Sequence, residues 1–201
     1  MTTDSSPTMA RRRRGRPRDP GVEDAALGAA RSLLIEKGFA GCTIAAVAQR
    51  AGVGKGTIYL RWPDKESLVV DAIAESLVDV RCPDTGNVRD DLVALYDDVI
   101  AAFDGDRGPL LAAAIAELPR YPKLQALYEE RVVVPVVTML GEVIARGTRR
   151  REIRKVRDLT VVSDMLFSPL VIRVMVWQQG IPAGFSESVV DGLLDGLRPR
   201  A

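Results

Sequence analysis

From about residue 20 onward the apolar positions fall into helical stripes separated by glycine- and proline-rich breaks, which predicts an all-α fold. The most sharply punctuated stretch is residues 43–62, TIAAVAQRAGVGKGTIYLRW. Ile44, Val47, Ala48 and Ala51 stand at i, i+3, i+4 and i+7, one face of a short helix. Thr43 is suited to cap it, because a threonine hydroxyl accepts from an unpaired first-turn N–H. Gly52 supplies the left-handed residue that stops it, and Val53 offers an apolar plug for the turn. A second short helix over 55–61 turns Ile58 and Trp62 inward and leaves Lys55, Thr57, Tyr59 and Arg61 outside. Cations and hydroxyls grouped in this way suit the phosphate oxygens of a nucleic-acid groove. The same spacing also fits an ordinary helical hairpin with a solvated basic face.

The remaining stripes extend the picture. Over 22–37, Ala26, Ala30, Leu33 and Leu34 predict a first helix stopped by Gly38, with Phe39 closing a small core. Pro63 and Asp64 mark the start of a long helix reaching about Val80, with Leu68, Ala72 and Leu77 inward. The break CPDTGN at 82–87 separates this from a larger helical body. Helices are expected there over 88–103, 110–118, 123–146, 159–179 and 185–197. A kink is expected at Pro135, which lacks an N–H and crowds the preceding turn. The domain reading is a basic arm at 1–20, a DNA-binding head at 21–65, a linking helix at 66–81 and a body at 82–201.

Composition narrows the chemistry. The chain has 201 residues, 47% of them hydrophobic, enough for a sizeable core in one or two small domains. Histidine is absent from the sequence, which removes histidine triads, bases and metal ligands and leaves enzyme and metal readings unsupported. No catalytic residue, metal or cofactor is assigned. Cys42 and Cys82 have no metal-ligand spacing and are expected to be free thiols in a reducing cytoplasm, a redox pair being the lesser reading. GVGKGT is not a phosphate loop, since Gln49 and Gly56 stand where a glycine and a hydroxyl residue are required. No membrane span is expected: VVVPVVTML is too short, and the later apolar run carries Asp164 and Arg173.

Charge is distributed unevenly. Residues 1–65 hold 12 Lys and Arg against 6 Asp and Glu, a net +6. Of the totals of 28 and 27, that leaves 16 against 21 for the remainder, a net −5, as for a nucleic-acid head on an acidic body. RRRRGRPR at 11–18 has no apolar segment after it, so an export signal is not expected. Its Arg14-Gly15-Arg16-Pro17 core is similar to an AT-hook, whose arginines enter narrow A·T minor grooves. A flexible arm that touches only phosphates fits equally well.

Residues 43–68 resemble the DNA-binding core of the TetR/AcrR family of bacterial transcriptional regulators. The matching residues are Thr43, Ile44, Ala48, Ala51-Gly52-Val53, Gly56-Thr57-Ile58-Tyr59, Trp62-Pro63, Lys65-Glu66 and Leu68. The resemblance implies DNA contacts from Thr43, Lys55, Gly56, Thr57, Tyr59 and Lys65. Gly54 stands where the family usually has serine, and Leu60-Arg61 replaces an aromatic-His pair, so Arg61 adds a cation and the operator is this chain's own. The segment from Pro122 onward is also similar to a TetR C-terminal type, through the helix proline, Ser168-Pro169-Leu170 and Gly180-Ile181-Pro182.

The resemblance further implies a homodimer on a palindromic double-stranded operator, released by a small-molecule effector held in the body. Tyr96, Phe103, Met139, Phe167 and Trp177 lie on helices that line the family's pocket, although aromatics at helical spacing are also ordinary core. Leu166, Leu170 and Val174, with Val189, Val190, Leu193, Leu194 and Leu197, form apolar stripes on the last two helices. Pairing those helices with a second copy would cover them. A cytoplasmic repressor is therefore expected. The competing reading is a constitutive architectural DNA-binding protein without a ligand, favoured by the RGRP arm.

Overall fold

The computed structural model describes residues 20–77, 79–103 and 107–197, so Arg14 and Arg16 lie outside the described residues. Within them the regular structure is helical, and no strand is present.

The head is built by local rules. Helix α1 (Pro20–Gly41) packs Ala26, Ala30, Leu33 and Leu34 against α2 (Ile44–Ala51), and Gly38, at φ 66°, bends its last turn so that Phe39 and Cys42 become buried. A positive φ costs glycine little, which is why the bend falls there. Thr43 caps α2 by accepting from the Ala46 N–H at 3.1 Å, and Gly52 ends it at φ 68°. Helix α3 (Lys55–Tyr59) buries Ile58, and Trp62 follows it into the same core. Asp64 caps α4 (Lys65–Ala74) through the Ser67 N–H at 2.9 Å.

Helix α4 is shorter than the sequence predicts. It passes into a 3-10 turn at Glu75–Leu77. Val80 then enters the body core, and Arg81 donates from both its backbone and its guanidinium to Asp98.

The body comprises α5 (Val88–Ala101), α6 (Arg107–Ile115), α7 (Pro122–Tyr128), α8 (Val134–Arg149), α9 (Leu159–Val171) and α10 (Phe185–Leu197). Its core joins Leu92, Leu95 and Tyr96 of α5 with Leu140 and Val143 of α8, Leu166 and Leu170 of α9, and Val190 and Leu193 of α10. The head's apolar core does not end at the head. It continues into Leu110, Leu111 and Ala114 of α6, Leu124 of α7, and Val132.

The kink expected at Pro135 takes the form of a π-helical turn, Glu129–Val133, in which the Val134 N–H reaches back five residues to the Glu129 carbonyl. An inserted residue moves the Arg131 carbonyl out of the way of the proline ring. A second π-helical turn, Ile172–Val176, extends α9 beyond Pro169. Asp164 and Arg173 therefore do not interrupt the helix, and Leu159–Val176 is long and apolar enough to cross a membrane by length and composition alone.

Candidate DNA-binding face and effector cavity

In the head, the inward residues Ile58 and Trp62 fix which side of α3 faces out. Lys55, Gly56, Thr57 and Tyr59 are exposed, as is Thr43 at the start of α2. Tyr59 is 54% exposed and Leu60 89%. Among the described residues no side-chain hydrogen bond or ion pair engages Lys55, Thr57 or Tyr59. A Cβ at Gly56 would meet nothing within 4 Å, so internal packing does not account for a glycine there.

Two expected contacts take internal roles instead. Arg61 forms an ion pair with Glu23 of α1 and lies 5.7 Å from the Trp62 ring centre. Lys65 has more internal contacts: its ammonium donates to the Phe39 carbonyl at 3.1 Å and lies 3.8 Å from the Phe39 ring centre and 5.7 Å from that of Tyr121. A cation between two aromatic faces is attracted to both. Lys65 thus fastens the head to the segment before α7.

Further links hold the head in place. Arg31 pairs with Glu75 at the end of the linking helix, and Lys123 of the body with Asp64. Burial pushes the Asp64 carboxyl up, but bonds from Lys123 and Ser67 outweigh it and hold the group below its ordinary value. Another link runs through Asp71 on α4. One carboxylate oxygen accepts the Trp62 indole N–H at 2.9 Å and the other accepts Arg131 at 2.6 Å. Arg131 stands on the first π-helical turn, so that turn is two hydrogen bonds from the end of the α3 segment.

The same turn walls a cavity of about 350 Å³. Leu111, Tyr128 and Val132 line it from the head side, Val99, Phe167 and Leu170 from the body side, and Phe103 packs against both cores. The space therefore lies on the seam between the two cores, with Ile172 of the second π-helical turn at its edge.

Of the five pocket residues expected from sequence, Phe103 and Phe167 line this cavity. Tyr96 does not: it is fully buried, with ring centres 5.9 Å from Phe167 and 6.1 Å from Phe185. Met139 packs on the body core beside Cys82, and Trp177, 59% exposed, lines a separate outer cleft. The lining residues that sequence reasoning missed include Val132, Val133, Val136 and Val137, whose spacing matches any core helix. The signal that could have located them is Pro135, which sets the π-helical turn.

Most of the expected interface stripe faces the protomer's own core. Leu166, Leu170, Val190, Leu193 and Leu197 are buried within a single chain, and Val174, Val189 and Leu194 are half-buried against the same core. They hold the protomer together. The outer face of α9 and its extension instead exposes Val161, Met165, Ile172, Val176 and Trp177, Val176 being 69% exposed. Because α9 is apolar on both faces, periodicity selected its inner one.

The cysteines occupy different cores. Cys42 is buried in the head, and burial raises its thiol to about 11. Cys82 packs against the body core; burial raises it too, against the opposing pull of Arg146. This separation removes the reading of a redox pair.

A helix-turn-helix head with an unpartnered polar face, fused to a helical body with a seam cavity, defines a DNA-binding transcriptional regulator of helical type. Comparison with known proteins agrees. Residues 26–72 match the family described as bacterial regulatory proteins, tetR family, and residues 82–193 match the tetracyclin repressor-like C-terminal domain. The chain belongs to the TetR family of regulators. It is 28% identical over 187 residues to the uncharacterized HTH-type transcriptional regulator YdeS of Bacillus subtilis, covering 92% of this chain and 94% of that one. The crystal structure of the TetR family transcription regulator SCO0332 superposes with a TM-score of 0.66 at 28% identity, covering 89% and 99% of the two chains. The fold is also that of FadR from Bacillus subtilis, crystallised in complex with stearoyl-CoA, with a TM-score of 0.69 at 21% identity and 89% and 99% coverage.

Proposed function

We propose that the chain acts as a homodimeric repressor that leaves a near-palindromic operator when a small molecule fills the seam cavity. The observation that carries this reading is the link from the cavity wall through Arg131 and Asp71 to Trp62 at the end of the α3 segment. A molecule that changes the π-helical turn biases the seating of the recognition helix, a coupling of about 1–3 kcal/mol in typical allosteric proteins. That FadR was crystallised with a bound ligand supports a ligand in the body here.

The DNA contacts are Thr43, Lys55, Gly56, Thr57 and Tyr59, with Arg14 and Arg16 adding minor-groove or phosphate contacts from the arm. A second copy covers Val161, Met165, Ile172, Val176 and Trp177, whose exposure would otherwise favour aggregation. The two-fold axis sets two recognition helices in successive major grooves. The protein works by binding and not by catalysis, in the cytoplasm where its operator lies. Head and body are units joined by α4.

Selection of bound fragments from the genome, followed by footprinting, tests the reading. One protected palindrome is expected. Broad A·T-rich coverage insensitive to any cavity ligand would refute it in favour of an architectural role.

A further inference from the structure

The seam cavity has an electrostatic character that specifies its occupant. Its walls are apolar except for Tyr128 and one edge on α9, where Ser163, Asp164 and Ser168 line it. Asp164 is the one charged lining residue among the described residues, and it has no ion pair or hydrogen bond there. Ser163, 7% exposed, adds a second polar group to the same edge. The arginines flanking the lining residues are engaged elsewhere. Arg131 holds Asp71, and Arg173 donates to the Gly180 carbonyl beside the Phe185 ring. Among the described residues no lining cation is therefore available for a carboxylate or a phosphate.

We infer that the effector is an apolar molecule with a cationic or hydrogen-bond-donating head, its tail among Val132, Val136 and Phe167 and its head at Asp164 and Ser163. This rests on the reading of the cavity as the effector site and adds the ligand's chemical class. An anionic head would meet the like charge of Asp164 at this edge, with no lining cation among the described residues to offset it. In this respect the site departs from what an acyl-CoA requires, whatever its relatives bind. A volume of about 350 Å³ suits a tail of medium length.

The test uses three probes with one decyl tail: decylammonium, 1-decanol and decanoate, each titrated calorimetrically into the full chain below its micelle concentration, with stearoyl-CoA as a fourth. Decylammonium is expected to bind at least about tenfold more tightly than decanoate, with 1-decanol between them and stearoyl-CoA weakest. Asp164→Asn, at an exposed position, is expected to abolish the preference for decylammonium over 1-decanol and decanoate. Val137→Phe fills the cavity, and Val133→Phe fills it from a more exposed position; both are expected to weaken all decyl probes. Equal or tighter binding of decanoate or stearoyl-CoA, or a preference unchanged by Asp164→Asn, would overturn the head-group inference and leave the cavity reading standing. Binding unaffected by both phenylalanine variants, or no binding by any probe, would overturn the cavity reading and this inference with it.

Discussion

Replacing Asp71 by alanine removes one carboxylate from two partners. The Trp62 indole is 2% exposed, so its N–H loses its acceptor with little access to water, a cost of about 1–2 kcal/mol. The Arg131–Asp71 pair is different: its side chains are 36% and 38% exposed, so solvent screens it and its own worth falls to about 0.5–1 kcal/mol. Together these give a loss of about 2 kcal/mol, most of it from the indole. Urea unfolding of the native, Asp71→Ala, Arg131→Ala and double variants measures this directly. The double-mutant cycle isolates the ion pair, with an expected coupling of about 0.5–1 kcal/mol. Because the carboxylate joins cavity wall to recognition segment, Asp71→Ala is also expected to keep effector binding while effector-driven release of DNA weakens at least several-fold. A coupling of zero within error, or full release by the Asp71→Ala protein, would refute the chain of contacts as a route between the two sites.

Four further outcomes follow from the contacts described. Tyr59→Ala is expected to weaken operator binding at least several-fold in a gel shift at moderate salt, with an unchanged melting temperature. Lys65→Ala is expected to cost about 1–2 kcal/mol of stability by calorimetry, through loss of the Phe39 carbonyl bond and two aromatic contacts, with a smaller effect on DNA affinity than Tyr59→Ala. Met165→Glu is expected to yield well-folded monomers by light scattering, whereas Leu170→Glu is expected not to fold; a Met165→Glu dimer of native affinity would exclude the α9 outer face. The buried Asp91 carboxyl is pushed up by burial, but Thr85, Arg150 and Arg146 outweigh this and hold it below its ordinary value. With the folded pKa below the unfolded one, its contribution is present above about pH 4 and is lost as pH falls through the folded value; Asp91→Asn should flatten that part of the stability profile.

The head was legible because its rules are local. Thr43, Gly52, Gly38 and Asp64 each act on the backbone within a few residues, so their roles can be read without knowing what packs where. Lys65 was not legible in this way, because its partners Phe39 and Tyr121 are distant in sequence. The same limit applies to the cavity. Periodicity marks Val132 and Val137 as inward-facing, but only the offset between two cores decides whether they meet atoms or empty space. For α9, Val161 and Leu166 are equally apolar, and the choice between inner and outer face is made by α5 and α10.

The continuation of the head's core through Leu110, Leu111, Ala114 and Leu124 bears on how such proteins can be recombined. A chimera cut near residue 81, giving this reading head to another sensor, would strip four apolar side chains from beneath α1 and α4 and supply a foreign surface in their place. Swapped parts would have to include α6 and α7, or have those four positions rebuilt, before a designer could expect the borrowed half to stay folded and to answer the new signal.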